Sequence, residues 1–600
     1  MCGIIYQSEN SDTGLIRTLF HRGPDEERFT ENILGYWGHA RLSIIDLTSD
    51  SSQPMTSISG NSLIIFNGEI YNYKSLRSDL VSKGIQFKSK GDTEVILNGI
   101  EYLGIEFIQK LDGMFAFIYA NLRTGKLVFA RDYAGKNPLY FSAKHGLTAA
   151  SEIRTILKAH PDITEINEKG LQQYVRYGII PEPDTLWTDI EMFPSGYYGI
   201  WSGSGFDLTP IHTVSSKNYI NGSSYEEVKK TIRNLVSSAV EKRLVSDVEV
   251  GTFLSGGIDS SLLVGLMSKE FNLRPKTFSV VFDNQEFSEE SRIEKVVSKW
   301  KPDHEYIRLN LNNVLDEIPD SLNAYDHLSI DGVNTFIVSK SVRSRGYKVA
   351  LSGLGGDEIF QGYGTFNQAR LILKYGKLLQ FIPDIIVQNN SKYGRIKDSF
   401  SSDFKHQPIS SIRSLYSEQQ LFKLFGEDYL GWFSMISDYD DSRLNNLTGD
   451  SKLISLEWHG YMKNMLIRDT NIMSMANSLE VRAPFTDREL LTYILQLPDT
   501  IKRPHNIKKQ LLVESCNDWL LPEIVESHKM GFVLPMKEWL LGPLNQIVRK
   551  NIDILGNYDA TSKLRNKALE NLSLLKENKT TWPRVWQWVV LGKILEDRLK

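Results

Sequence analysis

Cys2 stands one residue behind the initiator methionine. If that methionine is removed, a single residue carries both a thiol and a free α-amine. An α-amine titrates at about pH 8, so the same residue would supply a nucleophile and a base for its proton. Position alone does not assign this role, because a lone cysteine is more often incidental. A second cluster lies far along the chain, where Ser255-Gly256-Gly257-Ile258-Asp259-Ser260 follows the apolar run VEVGTFL and precedes SSLLVGLMSKE. A strand that ends in hydroxyls and glycines and passes into a helix turns main-chain N–H groups toward a common anion, which suits a pyrophosphate. A serine-rich helix cap would present the same residues. The Walker pattern ending in Gly-Lys-Ser/Thr is absent, which argues against cleavage between the β and γ phosphates by that machinery. A third cluster, LSGLGGDEIFQGY from Leu351, follows another predicted strand.

The elements that must hold these groups are legible in outline. A chain of 600 residues exceeds what one core organises, so two or more domains are expected. From Trp37 to Ser151, β-like runs alternate with glycine and asparagine turns, and Tyr73 to Lys83 and Asp92 to Leu103 have helical spacing, predicting a sheet-rich α and β domain. Residues 200 to 224 are rich in glycine, serine and asparagine and read as a linker, with a boundary near residue 210. Beyond it, SSYEEVKKTIRNLVSSAVEKRLV predicts an amphipathic helix, and VEVGTFL, KTFSVVF, HEYIRL and KVALSG predict a parallel sheet with crossover helices. After Phe366 the chain reads mostly helical, with a polar loop or insertion from Gln388 to Ser411, and the tryptophan-rich tail reads as a buried helix.

Composition excludes several classes. Hydrophobic residues make up 41% and charged residues 24%, and the formal net charge is -4, which gives neither a disordered chain nor a basic field for nucleic acid or membrane. The two cysteines, Cys2 and Cys516, form no metal-ligand spacing or disulfide framework, which fits a reducing cytoplasm. No signal peptide or long apolar span is expected.

Several ordered motifs change the weight given to Cys2: CGI at Cys2, HRGPDE from His21, GHARLSIIDL from Gly38, QPM from Gln53, FNGEIYN from Phe66, GDTEV from Gly91, LDGMFAF from Leu111 and ASEI from Ala150. Together they resemble the glutaminase domain of class II glutamine amidotransferases. That resemblance makes Cys2 the nucleophile, Arg41 the partner of the glutamine α-carboxylate, Glu69 and Asp92 the holders of its α-amine, and Asn67 with the Gly68 N–H the oxyanion hole. The segment between CGI and HRGPDE, residues 7 to 20, is shorter than the family usually has. The Ser255 loop resembles the signature of the ATP pyrophosphatase group, which cleaves ATP between the α and β phosphates and leaves an acyl-adenylate. It implies ATP and Mg2+ as cofactors, with Leu254, Ser255, Gly256, Gly257, Asp259, Ser260, Val280, Ser352 and Gly353 around ATP, Asp259 and Asp357 on the metal, and Lys529 on the phosphates as pyrophosphate departs.

The two halves together resemble the glutamine-hydrolysing asparagine synthetase family. The fold implied is an N-terminal αββα glutaminase sandwich, residues 2–205, followed by a parallel-sheet α/β synthetase domain, residues 225–600. Glutamine, ATP and a carboxylate acceptor are the expected partners, with no nucleic acid or membrane, and a homodimer is compatible with this reading. Asp469, Glu480 and Arg482, in a helix and turn placed by the resemblance near the acceptor, read equally as structural ion pairs or site residues. Leu354 departs from the family, standing where a glutamate usually forms the Ser-Gly-Glu-Gly motif. Leucine can neither accept a proton nor orient an amine. A non-aspartate acceptor such as a sugar uronic acid therefore stands as the alternative. A ring-closing synthetase is disfavoured by the retained glutaminase residues, and an inactive scaffold by intact candidates at both sites.

Overall fold

The computed structural model describes residues 1–9, 14–212, 223–282, 289–379, 391–399, 407–431, 434–437, 439, 447–505, 507–526 and 534–599. The linker core at 213–222 and Lys529 lie outside the described residues.

The N-terminal part stacks two six-stranded antiparallel sheets. In the first, Gly3–Gln7 lies between Gly35–Arg41 and Thr148–Ala150, with Gly3 opposite Ala40 and Ile5 opposite Ala150. In the second, Ser62–Ile70 pairs with Gly113–Asn121, which pairs in turn with Lys126–Arg131. Side chains alternate across each strand, so each sheet supplies two apolar faces. Ile4, Tyr6, Trp37, Leu63, Ile65, Ile118 and Phe129 fill the space between the sheets. The opposite face of the second sheet, with Ile64, Phe66 and Ile70, packs under the helices Tyr73–Ser82 and Thr93–Leu103. Ile5, Tyr36 and Ala40 of the first sheet pack with Ile153–Ala159 and Glu168–Tyr177. Four layers, helix, sheet, sheet and helix, result. The run GHARLSIIDL is strand only as far as Arg41.

The second part opens with the helix Tyr225–Arg243, whose start is fixed by a capping box between Ser224 and Glu227. A five-stranded parallel sheet follows, in the spatial order Asp303–Leu309, Lys276–Phe282, Val250–Phe253, Val349–Leu351, Glu480–Arg482. The winding reverses between Val250–Phe253 and Val349–Leu351, and ligands of such sheets bind in the crevice at the carboxyl ends of the strands flanking that point. The Ser255 and Ser352 loops leave those two strands. Glu480–Arg482 is a strand where a turn was expected, and Ser391–Asp398 and Pro408–Arg413 are helical within the stretch expected to be a loop. The tail forms the helix Pro583–Leu599, with Trp586 and Trp588 buried in the same core as Tyr174, whose hydroxyl donates to the Gln587 carbonyl at 2.7 Å.

Candidate active sites

Cys2 ends up buried because the strand behind it is central to its sheet. Its main-chain N–H donates to Asn67 Oδ1 at 2.8 Å, and Arg22 Nε donates to its carbonyl at 3.1 Å. Burial pushes the thiol above its ordinary range, partly offset by the nearby terminal ammonium and Arg41. A thiol raised in this way needs a proton acceptor beside it before it can serve as a nucleophile. Cys2, Arg41, Gln53, Gly68, Glu69, Asp92, Glu480 and Arg482 share the lining of one cavity of about 40 Å³.

The strand Ser62–Ile70 delivers Asn67, Gly68 and Glu69 together. Gln53 holds that strand in place, accepting from the Phe66 N–H at 2.6 Å and donating to the Phe66 carbonyl at 3.3 Å. A side chain at Gly68 would place its Cβ 2.1 Å from the Met114 carbonyl oxygen, and φ is +155°, so glycine is required there. Asn67 Nδ2 and both carboxylate oxygens of Glu69 are buried with no hydrogen-bond partner among the described residues. Buried groups without hydrogen bonds are costly, and here one is a donor close to Cys2, while Glu69 keeps an ionic partner in Arg482. Asp92 accepts from the Ile70 N–H at 2.9 Å, and burial pushes its carboxyl up to about 6. Arg41 is braced by the carbonyls of Asp46 and Thr48. The expected glutamine residues are thus brought to one place.

Glu480 and Arg482 belong to this pocket, rather than to the acceptor side where the resemblance set them. The terminal ammonium of Met1 donates to Glu480, and Arg482 Nη2 lies 2.7 Å from Glu69 Oε2. Asp469 is internal, accepting from Ser329 Oγ at 2.6 Å and pairing with His327 Nε2 at 3.1 Å, and burial pushes it up to about 7. It locks the loop at 327–329.

At the carboxyl ends of the parallel strands, Ser255 and Ser260 close the glycine loop on itself. The Ser255 N–H donates to Ser260 Oγ at 3.2 Å, and their hydroxyls lie 3.1 Å apart. Asp259 enters between glycines of the neighbouring loop: a Cβ at Gly356 would lie 2.3 Å from its Oδ1, and one at Gly353 would lie 2.8 Å from its own Cβ. The approach brings Asp259 and Asp357 within reach of one cation, Lys509, whose Nζ lies 2.6 Å from the first and 2.7 Å from the second. Burial alone would lower the lysine, but the two carboxylates hold its ammonium above its ordinary range. Lys509 was not singled out from sequence, since it lies on a distant segment, and its φ of +52° marks it only once the backbone is known. A pair of converging carboxylate oxygens that already shares a cation has the donor chemistry of a hard divalent ion site. Next to it, Leu254, Ser255, Val280, Ser352 and Leu354 line a largely apolar cavity of about 230 Å³ with Asn334, Thr335 and Thr470.

Beside the ion pairs of Glu480 and Arg482, part of the contact between the two parts is apolar. Met1, Leu42, Ile44, Tyr71 and Met114 from the first part pack with Val349 and Met475 from the second. Polar fixings border it: Arg22 Nη2 donates to Asn471 Oδ1 at 2.9 Å, and Asn137 Nδ2 donates to the Asn67 carbonyl at 2.8 Å.

One chain thus joins a buried cysteine pocket in its first part to a crevice at the carboxyl ends of the parallel sheet in its second. Two family models and several relatives match it. A glutamine amidotransferase domain model matches residues 1–211 and an asparagine synthase model matches residues 231–593. An asparagine synthetase [glutamine-hydrolyzing] 1 of Bacillus subtilis is 30% identical over 557 residues, covering 89% of this chain and 85% of the relative. Amidase chyE of Penicillium rubens is 25% identical over 657 residues, covering 96% and 92%. A solved structure described as the allosteric regulatory enzyme of purine biosynthesis covers 52% of this chain and 80% of its own, at 15% identity and a TM-score of 0.27. The chain belongs to the asparagine synthase family and is an asparagine synthetase-like, glutamine-hydrolysing ligase.

Proposed function

We propose that the protein hydrolyses glutamine at Cys2 and passes the ammonia to a carboxylate activated by ATP as an acyl-adenylate, giving an amide, AMP and pyrophosphate. The observation that carries the first half is the open donor beside Cys2, Asn67 Nδ2, as an oxyanion donor, with Glu69, ion-paired to Arg482 at 2.7 Å, as the acceptor for the α-ammonium. Arg41 takes the α-carboxylate and Asp92 shares the amine. With Met1 removed, the α-amine of Cys2 keeps its place against Asn67 and accepts the thiol proton, then returns it to the leaving ammonia.

The second half rests on the Ser255 to Ser260 loop facing Asp259 and Asp357 across the reversal of the sheet. Mg2+ would be held by Asp259 and Asp357 and would supply charge neutralisation on the phosphates when bound. Lys509 is the resident cation of that pair, and Lys529 is the proposed cation on the departing pyrophosphate. Leu254, Val280, Ser352 and Gly353 hold the nucleoside by apolar and main-chain contact. Ammonia protonated in bulk water is no nucleophile, so the apolar contact of Leu42, Tyr71, Met114, Val349 and Met475, which remains once Met1 is removed, is the proposed internal route. Residues 2–205 and 225–600 are proposed as the two domains, in a cytoplasmic enzyme.

Leu354 favours a second reading for the acceptor. It lines the nucleotide cavity with an apolar side chain, which supports a carboxylate lacking an α-amine, a sugar uronic acid among them. Incubation with glutamine and ATP-Mg, with and without aspartate, decides between them. Aspartate-dependent asparagine and pyrophosphate establish aspartate as acceptor. Glutamate without aspartate-dependent pyrophosphate excludes it and favours the second reading.

A further inference from the structure

Arg482 is part of both sites. Its main-chain carbonyl accepts the Ser352 N–H at 2.8 Å, so the strand Glu480–Arg482 fixes the start of the loop that carries Ser352, Gly353 and Leu354. Its side chain turns the other way and is fully buried against the glutamine pocket. There Nε donates to Glu480 Oε1 at 2.7 Å, and Nη1 donates to the carbonyls of Arg243 and Val245 at 2.8 and 2.7 Å. The third nitrogen, Nη2, lies 2.7 Å from Glu69 Oε2 without the angle of a hydrogen bond, and neither atom has another hydrogen-bond partner among the described residues. This one contact of Arg482 is therefore close in charge but unfinished in geometry. Glu69 is also the carboxylate that a glutamine α-ammonium would approach, in a pocket where Glu69, Glu480 and Asp92 face Arg482 and the terminal amine.

We propose that Arg482 is a positioning residue that couples the two sites: an α-ammonium bound at Glu69 competes with its guanidinium, and the strand it belongs to transmits the change to the Ser352 loop. The inference rests on the proposed role of Glu69 as a glutamine ligand. The side chain that meets Glu69 and the carbonyl that holds the Ser352 loop share one Cα, so no intervening residue is needed. Coupling of this kind is reciprocal, so occupancy of either site must change affinity at the other by the same factor.

The test uses the full-length protein with Cys2 either free or alkylated by 6-diazo-5-oxo-L-norleucine, a glutamine analogue that keeps the α-amine and α-carboxylate. The ATP-Mg dissociation constant is measured by calorimetry in both forms. The wild type is expected to show a change of about five-fold or more on labelling, and Arg482→Lys, which keeps a cation but loses the fork, about two-fold or less. Glu69→Gln, which takes the ion pair from Arg482 without any ligand, is expected to shift the unlabelled affinity for ATP toward that of the labelled wild type, leaving about two-fold or less between its two forms. A role for Arg482 in folding alone would weaken ATP binding equally in both forms and leave the ratio untouched, and that result overturns the inference. So does an unchanged ATP affinity in the labelled wild type. Failure of the underlying functional reading looks different, as absence of Cys2 labelling or of any ATP binding, and it removes the inference with it.

Discussion

Replacing Lys509 by methionine removes the cation that Asp259 and Asp357 share while keeping most of the apolar length of the side chain. The ammonium lies 2.6 and 2.7 Å from the two carboxylates, and the three side chains are 7%, 15% and 13% exposed. Breaking a buried ion pair costs about 3–5 kcal/mol, because the partner left behind is uncompensated. The residual exposure of the carboxylates puts this case near about 3 kcal/mol. The carboxylates hold the lysine above its ordinary range against the opposing effect of burial. A raised lysine contributes stability that is full below its unfolded value and lost only as pH rises through the folded one, so the whole effect is present at pH 7. At about 2 °C per kcal/mol for a large chain, the melting temperature should fall by about 6 °C. The sign of the Mg2+ response is the sharper readout. In the wild type a divalent ion must displace the ammonium, whereas in Lys509→Met that competitor is gone, and saturation at one hundred times Kd returns about 2.7 kcal/mol. Thermal unfolding followed by fluorescence, with and without MgCl2, should show a larger Mg2+-dependent rise in the variant than in the wild type. A variant that melts at the wild-type temperature and gains no more from Mg2+ refutes the assignment of Asp259 and Asp357 as a cation site.

Other expectations concern the glutamine pocket. Asn67→Ala removes the orphan donor and should lower the kcat for glutamine hydrolysis by about 10²–10³, and a loss confined to KM would contradict the oxyanion role. Because burial lifts Asp92 to about 6, the free enzyme protonates it below that value and loses a charge facing the α-ammonium. The kcat/KM for glutamine should then fall about ten-fold per pH unit below about pH 6, and Asp92→Asn should flatten that limb. Gly68→Ala forces a Cβ to 2.1 Å from the Met114 carbonyl and should abolish glutamine hydrolysis while ATP binding persists, as isothermal titration would show.

What could be read from the chain alone follows from the range of each signal. Cys2, Asn67, Gly68, Glu69 and the Ser255 loop sit in contiguous motifs, and the alternating runs around them impose sheets whose faces are set by a period of two. The strand pattern points to a parallel sheet with chemistry at strand ends, but the reversal depends on strand order, which the pattern leaves open. The edge strand Glu480–Arg482 is three residues long, too short for periodicity to register, and its pairing with Val349–Leu351 depends on distant chain. The same distance hid the duties of Arg482 and Lys509, whose partners Glu69, Asp259 and Asp357 are remote in sequence. Glu26–Asn32 escaped notice because an outer strand with polar, exposed side chains shows little apolar alternation.

One chain is proposed to generate ammonia at Cys2 and to spend ATP on a carboxylate elsewhere. The direct measurement counts glutamate, AMP and pyrophosphate in the same reaction, for the wild type and Cys2→Ser, with a panel of carboxylates and either glutamine or ammonium chloride. The account predicts glutamate together with equal AMP and pyrophosphate from the wild type, and from Cys2→Ser no glutamate but AMP and amide formation sustained by ammonium chloride. ADP and phosphate in place of AMP and pyrophosphate, or glutamine hydrolysis surviving in Cys2→Ser, would contradict it.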